Sequence, residues 1–557
     1  MSSPLILTAA GVVVAQTVGL WVLRVPLALQ VAVLVTAAGA TLAGAAFLRG
    51  ITAGIGDATA RFAIWYLAGM VAITGVAYVL FHPPVARALG LHSPAAATRF
   101  SLSLVGMAAL AAAVLSHPKR TTETTGLGMG SAAILVLALA LSGATVYGVA
   151  NQTAVDPTFI LQELNPEHPL VGSTLPEWGF PWDFYSHLIM QPAAIQSGGL
   201  PLDPIAHQGL QVWMLSSSLG FNAFDVADPV QAAKVLAVPV WFSLLVLARV
   251  LARRLLGVGR LGAMGAVAAV ALFGAINVPA LETSRSSYLG FINPSGPMYH
   301  NLPQLYSVAI GMGAAALVGI AGEGGRLWGS PFVAAAAFVS ASFWFKPSLF
   351  MVMAPAMVVA AALARRELRR AAVGATLVLC VPVVWWVVYP RLVGVPTLKL
   401  PMVIDPFRFY FIYAADRFRP WVSSSAWRLA TAILLLSFAA WVIPLLAWLR
   451  RAGGALRKGG RAALGVVRRS PLQVVMVVAL VLGVAMAVVL VEGGDRASHG
   501  NLAWPAAGAY VIAMPGLIRL ASDVRSRACR LVFAALFALH LAAGGLHLWI
   551  LVTAGHL

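Results

Sequence analysis

The chain has 557 residues, of which 60% are apolar and 10% charged, and its mean hydropathy is +0.87. Soluble domains are close to half apolar and a quarter charged, so a water-soluble globule, a disordered chain and a collagen-like chain are excluded. The formal charge is +19, and two cysteines, Cys380 and Cys529, provide no disulfide framework. Arg far outnumbers Lys while Ala and Gly abound, as GC-rich coding produces. A bacterial plasma (inner) membrane is therefore the expected location.

A bilayer core about 30 Å thick needs roughly 20 apolar residues per helix. That criterion predicts about fifteen spans (13–15), at 4–23, 26–48, 62–81, 99–116, 129–150, 231–251, 261–280, 303–322, 329–345, 347–364, 371–390, 427–449, 471–491, 502–519 and 531–552. The pair flanking Lys346 also suits a re-entrant hairpin. No Lys or Arg precedes the first run and no small-residue cleavage site ends it, so it is expected to be a span rather than a signal peptide. With a cytoplasmic N-terminus, the connections after even-numbered spans hold 24 of the 37 basic residues and 5 of the 18 acidic ones. The opposite side then carries no net charge. This positive-inside pattern accounts for the basicity by topology and argues against a nucleic-acid partner. The expected fold class is an all-α integral membrane protein.

The cytoplasmic connections offer little beyond Arg, Gly and Ala, and the 450–470 stretch reads as a solvated, lipid-facing linker. Polar residues with chemical potential gather on the other face. The longest loop, 151–230, contains two amphipathic segments, from Asp183 to about Gln196 and from His207 to about Leu219, which suit short helices lying at the interface. Asp183 and His187 are four apart and share a helical face. Such a pair can exchange a proton, orient an acceptor hydroxyl or hold a divalent cation; equally, Asp183 after Pro181 suits a helix cap.

Further along, Glu282 and Arg285 suit an intrahelical ion pair or a polar site. Tyr299, His300 and Asn301 stand just before a span, where an amphipathic Tyr also serves as an anchor. Lys346, in SASFWFKPSLFMVMAP, has no acidic neighbour in sequence, so its ammonium demands either a distant carboxylate or an anionic ligand such as a lipid phosphate. Arg408 and Arg417 could hold phosphate or pair with Asp405 and Asp416. Glu492 ends a span; His499, Asn501 and Trp504 open the next, with interface anchoring as the alternative for Trp504. The sequence contains no GxxxxGK[ST], GxSxG or HExxH pattern and no convincing internal repeat, which argues against ATP-driven transport and inverted-repeat transporters.

The arrangement of a span, a long outer loop with an Asp on an amphipathic helix, a second amphipathic helix and many later spans resembles the multi-spanning glycosyltransferases of the GT-C fold class. The stretch WDFYSHLIMQPAAIQSGGLPLDP is similar to their first-loop pattern. YHNLPQLYS, WFKPSLF and GDRASHGNLAW resemble tip segments of uncharacterised membrane proteins of polysaccharide loci. The resemblance covers roughly 129–505, with five spans rather than one preceding Asp183. It implies an N-terminal four-helix bundle (1–125), a GT-C-like module (126–505) and C-terminal helices (506–557).

It further implies an inverting transfer from a polyprenyl-phosphate-linked sugar to a glycan or lipid acceptor on the periplasmic or extracellular face, in cell-envelope glycan synthesis. Asp183 would be the general base, with His187 assisting it or joining it on Mg or Mn. Lys346, Arg285, His300 and Arg408 would hold the donor phosphate. Glu282, Tyr299, Asn301, Glu492, His499, Asn501 and Trp504 would line the acceptor side. A transporter or flippase of lipid-linked glycan, or a non-catalytic subunit of an envelope complex, is the alternative.

Overall fold

The structure is a computed structural model that describes residues 27–81, 88–90, 129–152, 227–276, 294, 298, 302–321, 330–363, 366–392, 402–406, 426–457, 471–492 and 503–554. These residues are mostly helical: α1 Leu27–Leu48, α2 Ala58–Phe81, α3 Met129–Gln152, α4 Ala227–Val250, α5 Arg260–Leu272, α6 Leu302–Ala321, α7 Pro331–Phe345, α8 Pro347–Leu363 and α9 Arg366–Leu392. After the short strand β1 (Met402–Ile404) come α10 Ala426–Phe438, a 3-10 turn at Ala439–Trp441 and α11 Val442–Arg457. The chain continues through α12 Pro471–Val489, strand β2 (Leu490–Glu492), α13 Trp504–Ser522 and α14 Arg527–Ala554. Among the described residues seven helices are long and apolar enough to cross a membrane. The chain is accordingly a helical, membrane-associated protein. The expected spans at 4–23 and 99–116 and both amphipathic segments of the long loop lie outside the described residues.

The chain divides into two compact units. The first contains α1, α2, α3, most of α4 and the first turns of α6. Its α1–α2 hairpin is closed by a turn in which Trp65 Nε1 donates to Thr52 Oγ1 at 2.9 Å. Asp57 caps α2, its carboxylate accepting from the Thr59 and Ala60 N–H groups at 3.0 and 3.2 Å. Small residues set the approach: a side chain on Gly44 would collide with the Trp65 carbonyl, and one on Gly69 with the Ala40 carbonyl. In lipid, where apolar helices gain nothing by hiding from one another, such close backbone contact is what holds a pair together.

The second unit contains α5, α7–α14 and the remainder of α6. α13 is its central helix, buried from Trp504 to Pro515 without a break. Around it pack α5, α8 and α12, while α7 and α9 lie together beside α8. The outer faces of α9 and α14 remain apolar and exposed, for example Val373, Leu377, Val381 and Val384 on α9 and Leu531, Leu539 and Trp549 on α14. A lipid-facing surface looks like this, and its exposed apolar residues are unremarkable in that setting.

Two expected spans are not continuous helices. α5 stops at Leu272 and the chain runs extended through Phe273, while the 427–449 span is interrupted at Ala439–Trp441. Non-helical backbone inside a membrane needs its polar groups satisfied by protein. His540 of α14 does this for both interruptions: its Nδ1 meets the Gly274 carbonyl at 2.6 Å, and its Nε2 accepts the Ala440 N–H at 3.3 Å. A ring that donates from Nδ1 and accepts at Nε2 is the neutral tautomer. The Gly274 N–H donates to the His540 carbonyl at 3.0 Å, and Ile276 N–H to Leu436 at 3.2 Å. Phe273 stacks on the imidazole at 4.2 Å between centroids, and Tyr510 donates to the Ser437 carbonyl at 3.1 Å. A two-stranded antiparallel ribbon, β1 with β2, is a further departure from an all-helical expectation; it pairs Met402 with Glu492 and Ile404 with Leu490.

Candidate functional site at the Lys346 corner

One residue, Lys346, separates α7 from α8. The sequence dictates the corner. A residue before proline is pushed out of the helical region, and Lys346 is extended at φ −155°, ψ 115°. Pro347 is then pre-shaped for the first position of the next helix. The same device starts α7, where Ser330 precedes Pro331 and its Oγ accepts from the Phe332 N–H at 3.2 Å. At 15 and 17 residues, α7 and α8 reach only about 22–26 Å at 1.5 Å per residue. With their far ends at one interface, the corner stops short of the other side of a 30 Å core.

The Lys346 side chain is 8% exposed, and its Nζ lies 3.9 Å from the centroid of the Trp504 ring. Trp504 is itself 6% exposed, so it is a buried platform for the ammonium and not the interface anchor that its sequence position also suited. Charge converges here. Lys346 directly precedes the N-terminus of α8, and Trp504 is the first residue of α13, whose N-cap, Ala503, makes no side-chain capping hydrogen bond. Helix N-termini carry partial positive charge and collect anions. An aromatic ring attracts a cation through its quadrupole and carries no net charge. An ammonium and helix N-termini are groups that attract anions.

An aromatic cluster flanks it. Phe343 meets Phe350 and Trp386 edge-on at 5.4 and 5.7 Å, and Trp344 meets Trp385 at 5.6 Å. Neither Trp385 nor Trp386 had been singled out, although the FWFKP and VVWWVV runs are the signal that could have found them. The ribbon lies at the same end of the unit, because β2 leaves the last residue of α12 and α13 begins beside it. Its backbone ties the segment after α9 to the segment before α13. Glu492 is the last residue of β2, paired through its backbone with Met402, and the Asp405 N–H donates to Val489 at 3.1 Å.

Of the residues expected to form a site, the structure therefore brings Lys346 and Trp504 together and puts Glu492 in the ribbon. Asp183, His187, Glu282, Arg285, Tyr299, His300, Asn301, Arg408, His499 and Asn501 lie outside the described residues. Among the described residues no three His, Cys, Asp or Glu side chains cluster as metal ligands, and the expected metal pair, Asp183 and His187, is not among them. No protein-family model, curated protein or solved structure matches the chain.

Proposed function

We propose that the protein is a polytopic glycosyltransferase of the GT-C type that moves a sugar from a polyprenyl-phosphate carrier to a glycan or lipid acceptor on the non-cytoplasmic side of a bacterial plasma membrane. The observation that carries the reading is the buried Lys346 ammonium on Trp504, beside two helix N-termini and an aromatic cluster. That chemistry suits an anionic head group presented at membrane depth, which is how a lipid-linked sugar arrives. In such a transfer the Asp183 carboxylate takes the proton of an acceptor hydroxyl, which attacks the anomeric carbon. The bond from that carbon to the carrier phosphate breaks, and Lys346 stabilises the charge left on the phosphate. His187 positions that carboxylate, or joins it on a divalent cation, and transfer that survives EDTA removes the cation from the scheme.

The test is reconstitution in proteoliposomes with a polyprenyl-phosphate sugar. Asp183→Asn is expected to abolish covalent transfer while the protein still purifies as a monodisperse species; full activity in that variant rejects the assignment. The interrupted helices favour one competing reading, a transporter or flippase of lipid-linked glycan, since such proteins build their sites at helix breaks. Movement of carrier across the bilayer with no covalent product would establish it.

A further inference from the structure

We infer that the β1–β2 ribbon is a membrane-interface anchor, with Met402, Val403 and Ile404 seated among the lipid head groups and upper acyl chains at its end of the bundle. Three consecutive strand residues ordinarily alternate between a covered and an open face. Here all three are apolar and all three are open, at 56, 44 and 74% exposure. In water that is an unfavourable surface, and its height shows what covers it.

β2 begins at Leu490, the residue directly after α12, with no linker between them. α12 has 19 residues, so it is about 28 Å long and matches a hydrocarbon core of about 30 Å. Its last residue thus marks the core boundary. Strand residues advance about 3.3 Å each, and the register is Ile404 with Leu490, Val403 with Val491 and Met402 with Glu492. With the roughly 5 Å between paired strands included, and whatever the ribbon's tilt, Ile404 lies within about 6 Å of that boundary, Val403 within about 8 Å and Met402 within about 11 Å. The interfacial zone is roughly 5–7 Å deep on each side, so the ribbon cannot leave it by more than about two residues. The hydrogen bond from Asp405 N–H to Val489 at 3.1 Å fixes the returning end of β1 at the same level. The occupant of this surface is therefore lipid, in a graded order with Ile404 deepest. The inference is independent of the proposed catalytic activity.

The experiment places a bimane label at single cysteines, Met402→Cys, Val403→Cys and Ile404→Cys, in the full-length chain carrying Cys380→Ser and Cys529→Ser. The labelled proteins are reconstituted in phosphatidylcholine/phosphatidylglycerol vesicles. Quenching by a lipid bearing a shallow nitroxide is compared with quenching by iodide. The nitroxide lipid is expected to quench at least twofold more than iodide at 404, with the ratio falling through 403 to 402. Iodide dominating at 404 would place the ribbon in water, and protection from both quenchers would place it against protein; either overturns the inference. Three labelled positions keep the outcome readable if one variant fails to elute as a monodisperse species.

Discussion

Replacing Lys346 with Gln removes the ammonium and keeps most of the side-chain length. Across about 4 Å at an effective dielectric near 20, an ammonium and a phosphate attract by about 4 kcal/mol. A phosphate that draws the ammonium off Trp504 forfeits a cation–π contact worth about 1–2 kcal/mol, leaving about 2–3 kcal/mol. At 1.4 kcal/mol per tenfold change, the variant should bind a polyprenyl monophosphate roughly 30- to 140-fold more weakly. Trp504 lies under the group being changed, so titration of nanodisc-embedded protein followed by tryptophan fluorescence reads the event directly. Lys346→Arg should retain most of the affinity. The matching polyprenol, without phosphate, should bind both variants as it binds the parent. Equal phosphate affinity in Lys346→Gln, or an equal loss for the neutral alcohol, refutes the anion reading and reduces Lys346 to a packing role.

Lys346→Met tests whether the ammonium serves binding or folding. A buried charge is weak support for stability, and an apolar replacement is often neutral or better, so thermal unfolding should be unchanged or raised while phosphate binding is lost; a Tm that falls by many degrees would make the residue structural. His540→Ala strands the Gly274 carbonyl and the Ala440 N–H in an apolar interior. At about 1–3 kcal/mol for each orphaned group the loss is about 2–6 kcal/mol, visible as a large drop in Tm, and an unchanged Tm would show that the breaks are held some other way. Gly69→Ile should separate α1 from α2 and cost about 1–3 kcal/mol, whereas Gly75→Ala, with open space around it, should be neutral or slightly stabilising; similar Tm values for the two would disprove the close-approach account.

Helix positions were legible because apolar runs of membrane length are a strong signal, and a helix stands at each expected span that falls among the described residues. The interruptions were not legible. Phe273 and Gly274 sit in an apolar run that reads as continuous, and the freed backbone groups are met by a histidine more than 260 residues away. The ribbon was missed for a related reason: Met402–Ile404 is too short for periodicity to register, and it becomes a strand only by pairing with the chain that leaves α12. Lys346 was conspicuous because a basic residue in an apolar run rich in Phe and Trp, with no acidic neighbour in sequence, demands a partner. Its ring partner lies in a distant segment that also suited a lipid anchor, so Trp504 acquired its role only from the packing of α13.

Two buried polar residues of the second unit, His540 and Lys346, differ in kind. His540 is neutral in its hydrogen-bonding pattern, and both ring nitrogens are matched to backbone groups, so removing it breaks a closed arrangement. Lys346 brings a full positive charge to a corner where two helix N-termini already contribute positive potential, and the ring beneath it holds the ammonium without neutralising it. Under the proposed function, the anionic head group of a lipid-linked sugar is what the ammonium and the helix ends attract, and the aromatic residues beside them suit the apolar body to which that head group is attached.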